Sequence, residues 1–228
     1  MKWTPSRLRF RNRCIALVPW AFVTFLRARF AFQTLARWMR TGWELPLPNV
    51  LKHPILVRYA RDHRLTVLIE TGTFLGDTPW ALRHLFQEIR TIELSSDLAL
   101  AAEQRFKPFP HIHVHRGNSA TILPTLVESL HQPALFWLDG HFSGGITAGI
   151  ANPSPIRDEI RVIITKCPVR FVILIDDARA FGSDPAYPSL DELQRMVAEL
   201  SPGADFTMSN DMIAIVPNGS RCPSGSPS

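Results

Sequence analysis

The chain has 228 residues, of which 46% are hydrophobic and 20% are charged, and its formal net charge is +5. This length suits one sizeable core with a short extra segment. The three cysteines, Cys14, Cys167 and Cys222, are far apart and form no CxxC pair. That spacing argues against a disulfide framework or a zinc knuckle and predicts a reducing, cytoplasmic location.

The basic character is concentrated in an N-terminal arm. Residues 1–43 contain nine Lys or Arg and no acidic residue, whereas the remainder contains sixteen basic and twenty acidic residues. The most apolar run of the arm, residues 14–26, includes Pro19 and is shorter than the roughly 20 residues of a membrane-spanning helix. Three interpretations stay open: a helix packed on the domain or across a homodimer, a peripheral helix in a membrane interface, and a cleaved or spanning segment. Nucleic acid is not an expected partner, because the arm is more hydrophobic than phosphate-binding arms usually are.

Composition divides the chain into three parts. The stretch "ELPLPNV" contains Pro46 and Pro48 and is typical of a linker. Residues 1–49 are therefore the arm and linker, and residues 50–217 are the globular domain. Residues 218–228, rich in Gly, Ser and Pro, are predicted to be a disordered tail.

Strand-like and helix-like segments alternate along the domain. Helices are predicted between successive strands, and a tight Ser-Asn-Asp turn joins two strands at the end. Several strands are apolar throughout, which indicates burial on both faces and hence a parallel sheet covered by helices. The predicted fold is α/β, a doubly wound, mostly parallel sheet. The strands before the final pair are expected at residues 66–70, 89–94, 111–115, 134–139 and 171–177.

Polar groups follow the strands at the sheet edge where such folds bind ligands. Glu70 ends the first strand and is followed by Gly72 and Gly76, whose backbone can approach a ligand closely. Glu93, at the end of the second strand, is spaced to accept hydrogen bonds from ribose hydroxyls. An acid before the glycines would repel a pyrophosphate but suits an ammonium group. These residues predict a cofactor with a nucleoside and a positively charged amino-acid end.

Four stretches, "ETGTFLGDT", "IELSSDLALAAEQRF", "GNS" and "LFWLDGH", together resemble class I S-adenosylmethionine-dependent methyltransferases over roughly residues 65–216. The resemblance implies a Rossmann-like methyltransferase fold with seven strands, the last one antiparallel. It also implies S-adenosylmethionine as cofactor. Glu93 would then hold the ribose. The other implied contacts are Glu70, Gly72 and Gly76 in the methionine-side loop, Thr78 near the carboxylate, and Asn118 and Ser119 near the adenine.

Three carboxylates are expected to meet at the ends of the fourth and fifth strands. Asp139, Asp176 and Asp177 would repel one another unless a cation neutralises them. The pattern resembles macrocin-type and catechol-type O-methyltransferases, which implies Mg²⁺ at these acids beside a small-molecule acceptor hydroxyl. Asp139 and His141 are alternative general bases. Arg179 is expected to pair with the acids, or else to meet an anionic substrate.

Two other function classes remain open. One is a metal-dependent glycosyl- or phosphotransferase that binds a nucleotide sugar or nucleoside phosphate. The other is a non-catalytic binding module that keeps the cofactor fold and docks through its arm. A measurement of whether the protein binds S-adenosylmethionine or nucleotides would distinguish these classes.

Overall fold

The computed structural model describes residues 29, 32–42, 45–139 and 154–219. His141 and the loop around it lie outside these ranges, as do most of the N-terminal arm and the tail after residue 219. Within the described ranges, no helix is long and apolar enough to cross a membrane. Membrane contact or dimerisation through the arm therefore stays a prediction.

The described elements alternate in the predicted manner. The strands are β1 (Val67–Thr71), β2 (Glu88–Glu93), β3 (Ile112–Arg116), β4 (Ala134–Leu138), β5 (Phe171–Ile175), β6 (Asp205–Ser209) and β7 (Met212–Val216). The helices are α1 (residues 32–40), α2 (Asn49–Asp62), α3 (Asp77–Leu82), α4 (Ser96–Phe106), α5 (Ser119–Glu128), α6 (Ile156–Lys166) and α7 (Leu190–Leu200), with a 3₁₀ turn at Ala178–Ala180.

All seven strands form one sheet in the order β3-β2-β1-β4-β5-β7-β6. The pairings from β3 to β5 are parallel, and β7 runs antiparallel to both of its neighbours. Asn210 and Asp211 join β6 to β7 with positive φ angles of 54° and 60°, as a tight two-residue hairpin requires. The predicted doubly wound, mostly parallel seven-stranded sheet is therefore confirmed.

Helices cover both faces of the sheet, which explains the uniformly apolar strands. One face packs against α5, α6 and α7 through side chains such as Ile69, Phe136 and Ile173. The other face packs against α2, α3 and α4 through Leu68 and Leu174, among others. Because side chains alternate along a strand, this division also decides the face on which each acid at a strand end lies.

Helix α2 was not predicted from the sequence. It contains Pro54 and has little amphipathic character, since its buried positions are Lys52, Leu56 and Ala60. Leu56 and Ala60 belong to the core beneath the sheet, and both are at most 2% exposed. They hold α2 across the face on which Lys52 becomes buried.

Candidate functional site

Three acids lie on the sheet face that α2 covers. Glu70, Asp139 and Asp176 each follow, by two positions, a strand residue that packs in the core beside α2. The backbone ladder continues past the strands, since the Asp139 N–H donates to Thr71 and the Asp176 N–H donates to Leu138. Asp139 lies centrally, because its charge raises the pKa values of both Glu70 and Asp176. The structure thus brings these three predicted site residues together.

Glu70 is buried among hydroxyl groups and is only 2% exposed. Thr91 Oγ1 donates to Glu70 Oε2 at 2.6 Å. Burial raises the pKa of Glu70 to about 8, although hydrogen bonds from Thr91 and Thr78 oppose the rise. In the free protein this carboxyl is therefore largely uncharged at neutral pH, and a cation brought close to it would favour ionisation. Thr78, predicted near the cofactor carboxylate, contacts Glu70 here.

The two glycines of the first loop are needed for different structural reasons. Gly72 has φ +91°, and a Cβ atom at this position would lie 3.4 Å from Asp139 Cβ. Gly76 has φ +68°, but a Cβ atom there would lie 2.8 Å from the ring of Phe106 on α4. Gly72 therefore adjoins the acids, whereas Gly76 lets α4 pack against the loop. A cofactor contact from Gly76 stays a prediction.

Glu93 joins two loops through its carboxylate. Oε2 accepts the Phe74 N–H at 2.7 Å, and Oε1 accepts the Ser95 N–H at 2.9 Å. Burial raises the pKa of Glu93, and these backbone donors oppose the rise. The side chains of Phe74 and Leu94 are 42% and 64% exposed. The backbone groups that bond to Glu93 thus include those of two residues, Phe74 and Leu94, whose apolar side chains are exposed.

Asn118 is the N-cap residue of α5, and Ser119 is the first residue of that helix. Gly117 donates its N–H to the Glu93 carbonyl at 2.8 Å, which holds this turn beside the end of β2. Asn118 Oδ1 accepts the Ala120 N–H at 2.9 Å and so caps α5. Ser119 bonds to the buried carboxyl of Glu159, whose pKa burial raises to about 7. Both residues already serve the α5 terminus, and their adenine contact stays a prediction.

Lys52 is the site residue that sequence reasoning missed. Its ammonium lies 2.6 Å from both carboxylate oxygens of Asp176. The two side chains are only 5% and 4% exposed. Burial raises the pKa of Asp176, and the Lys52 charge opposes that rise. A lysine is almost never buried without a partner, so a lysine four residues before Leu56 and eight before Ala60 was the available signal.

Asp177 follows Asp176 at a point where the chain has already turned out of the strand. It has φ +54° and donates its N–H to Asp176 Oδ1 at 2.8 Å. Arg179 Nη1 lies 2.7 Å from Asp177 Oδ1. Arg179 also pairs with Asp211 in the β6–β7 turn. The expected pairing of Arg179 with the acid pair is therefore confirmed.

The described residues do not fit the predicted magnesium site of Asp139, Asp176 and Asp177. Over residues 45–139 and 154–219, no group of three His, Cys, Asp or Glu side chains is arranged to hold a metal ion. Mg²⁺ needs free carboxylate oxygens at about 2.1 Å, but Lys52 occupies both oxygens of Asp176 and Arg179 is paired with Asp177. Lys52 and Arg179 thus supply positive charge to Asp176 and Asp177 from within the chain.

The strand order, the antiparallel seventh strand and the acids at the carboxyl ends of β1, β2 and β4 define an α/β protein with a Rossmann-like methyltransferase fold. No protein-family model and no curated protein sequence matches the chain. Solved structures do match it over most of its length.

One similar structure is a Staphylococcus aureus protein assigned as a caffeoyl-CoA O-methyltransferase, with TM-score 0.55, 13% identity and coverage of 86% of this chain and 98% of that one. The O-methyltransferase TomG from Streptomyces achromogenes, in complex with S-adenosylmethionine, has TM-score 0.53, 20% identity and coverage of 82% and 90%. A Streptococcus mutans protein assigned as a methyltransferase, in complex with S-adenosylhomocysteine, has TM-score 0.52, 12% identity and coverage of 76% and 99%. At these identities the likeness shows the fold.

Proposed function

We propose that this protein is an S-adenosylmethionine-dependent methyltransferase that methylates a hydroxyl group of a small molecule. The observation that carries the proposal is the pair of buried acids, Glu70 and Glu93, at the carboxyl ends of neighbouring strands of this fold. Such strand ends are where doubly wound sheets bind their ligands. The two glutamates differ in their hydrogen-bond partners: Glu70 accepts from threonine hydroxyls, whereas Glu93 accepts from backbone N–H groups. This difference suits the two ends of one elongated cofactor.

The ribose end of the cofactor belongs at Glu93. Its two oxygens are oriented by the Phe74 and Ser95 N–H groups, and the backbone of Leu94 is a third hydrogen-bond partner of this carboxylate. A carboxylate has about four lone-pair sites, so Glu93 keeps the capacity to accept from a ribose hydroxyl. Phe74 and Leu94 offer exposed apolar surface on either side, which suits the flat face of an adenine ring. Covering this apolar surface with the adenine ring would remove it from water, which would favour binding.

The amino-acid end belongs near Glu70. A cofactor ammonium would replace the proton that burial keeps on this carboxyl, so the ligand would carry the charge that Glu70 otherwise lacks. Gly72 lets the chain pass close to Asp139. The methyl-bearing sulfur would then lie between the Glu70 and Glu93 ends, near Asp139.

Asp139 is the general base in this proposal. Its side chain is only partly buried at the open end of β4, so an acceptor can reach it. The acceptor oxygen attacks the methyl carbon in line, the carbon–sulfur bond breaks, and the acceptor proton passes to the Asp139 carboxylate. The products are a methyl ether and S-adenosylhomocysteine. His141 remains a second candidate base.

Calorimetry on the full chain tests the proposed function. We expect S-adenosylmethionine and S-adenosylhomocysteine to bind, and UDP-sugars and nucleoside triphosphates not to bind. Release of S-adenosylhomocysteine in the presence of hydroxylated acceptors then measures transfer. Binding of nucleotides alone would favour the glycosyl- or phosphotransferase class, and cofactor binding with no transfer to any acceptor would favour a binding module.

The raised pKa of Glu70 predicts that cofactor affinity depends on pH. Below a pKa of about 8 the carboxyl of the free protein is protonated, and an ammonium ligand favours its ionised form, so binding releases a proton. The affinity for S-adenosylhomocysteine should therefore rise between about pH 6 and about pH 7.5, by at most about tenfold per pH unit, and level off above the pKa.

The matched variant is Glu70→Gln, which keeps the shape of the side chain but has no proton to release. We expect its affinity for S-adenosylhomocysteine to change little over the same interval, as followed by calorimetry in buffers of different ionisation enthalpy. A wild-type protein that binds without proton release would place the cofactor ammonium away from Glu70.

A further inference from the structure

We infer that the Lys52 ammonium takes the place of a divalent cation among these acids, and that methyl transfer proceeds without a bound metal. The part of this inference that concerns transfer rests on the proposed function. The part that concerns cation binding rests only on the geometry of the Lys52–Asp176 pair.

The pair occupies the position that a chelated metal would need. Lys52 Nζ is equidistant, at 2.6 Å, from the two oxygens of Asp176. A cation chelated by the same oxygens at about 2.1 Å would overlap with this nitrogen. Charge repulsion adds to the steric conflict, since an ammonium and a divalent ion would share a nearly dry site.

Both partners are held from several directions. Helix α2 is anchored by Leu56 and Ala60 in the core. Asp176 is fixed by its own N–H to Leu138 and by the Asp177 N–H, which donates to Oδ1 at 2.8 Å. A buried ion pair with this many supporting bonds has little freedom to swing aside for a metal.

The charge balance favours a single positive group here. Burial raises the pKa values of Glu70 and Asp176, and the nearby Asp139 charge raises both further. The Lys52 charge opposes the rise in the pKa of Asp176 that burial causes, and the pair so formed leaves less uncompensated negative charge beside Asp139. Lys52 is therefore a positioning residue that acts through Asp176.

The experiment titrates Mn²⁺ into the full chain and follows binding by electron paramagnetic resonance and by the thermal shift of unfolding. The variant Lys52→Ala removes the ammonium. The control Lys166→Ala removes an exposed lysine whose pair with Glu128 has a similar separation of 2.7 Å. We expect the wild type and Lys166→Ala to take up no Mn²⁺ at this site, and Lys52→Ala to gain an Mn²⁺-dependent stabilisation.

Transfer provides the second readout. EDTA should leave wild-type transfer unchanged. Lys52→Ala should lose at least about tenfold in kcat, with its affinity for S-adenosylhomocysteine changed by less than the effect on kcat. Stoichiometric Mn²⁺ binding by the wild type, or transfer lost in EDTA and restored by Mg²⁺, would overturn the inference.

A folded Lys52→Ala protein that gains no cation binding would also overturn the assignment of Lys52 to a cation position. If Lys52→Ala does not fold, the wild-type titration and the EDTA assay still decide the matter. Absence of S-adenosylhomocysteine binding in the wild type would refute the proposed function instead, and the Mn²⁺ titration would be unaffected by that result.

Discussion

Asp139→Asn should lower methyl transfer by about 10²- to 10⁴-fold, the usual contribution of a positioned general base. The amide keeps the size of the side chain but accepts no proton from the acceptor hydroxyl. Affinity for S-adenosylhomocysteine should stay within a few-fold of the wild type, because the expected ribose and ammonium contacts lie on β1 and β2. The measurement is initial-rate kinetics on an acceptor that the wild type methylates, together with calorimetry.

The control for this variant is Asp62→Asn, which makes the same chemical change at an exposed residue at the end of α2. It should leave both rate and affinity unchanged. A fully active Asp139→Asn protein would transfer the role of base to His141, and the proposed reaction would stand with a different proton acceptor.

Glu93→Ala should weaken S-adenosylhomocysteine binding by about 10- to 150-fold, the equivalent of roughly 1.5–3 kcal/mol for hydrogen bonds to a charged group. The loss has two physical sources. The ribose hydroxyls lose their acceptor, and the Phe74 and Ser95 N–H groups lose the carboxylate that orders the loops around the cofactor.

Calorimetry of Glu93→Ala, with circular dichroism to verify folding, measures this effect. The exposed acid Glu103 on α4 provides the control, and Glu103→Ala should bind as the wild type does. A folded Glu93→Ala protein with unchanged affinity would remove the ribose assignment.

Local patterns were enough to predict the main features of the fold. Consecutive apolar residues in a strand indicate burial on both faces, so residues 67–69 of β1 and the whole of β4 and β5 predicted a helix-covered parallel sheet. The turn chemistry of Asn210 and Asp211 predicted the final hairpin. The acids Glu70, Glu93, Asp139 and Asp176 were located because each lies at or directly after the carboxyl end of a strand.

Helix α2 was missed because its pattern is weak. Pro54 interrupts it, and Lys52 stands where an amphipathic helix would carry an apolar residue. A lysine near a linker is usually solvated. Its spacing to Leu56 and Ala60 places Lys52 on their face of the helix, but the sequence does not identify the acid with which it pairs.

The sequence by itself determined the strand ends and the acids there, because strand burial and turn chemistry depend on neighbouring residues. Only the tertiary structure decided which basic group pairs with Asp176. Lys52 and Asp176 are 124 positions apart in the chain, and they meet because α2 packs across the sheet face to which Asp176 points. Likewise, Gly76 meets Phe106 only once α4 has packed beside β2 and β3. A sequence shows that a charge at a strand end must be compensated. The side chain that compensates it can be distant in the chain, because the packing of the core decides which groups come within hydrogen-bonding distance.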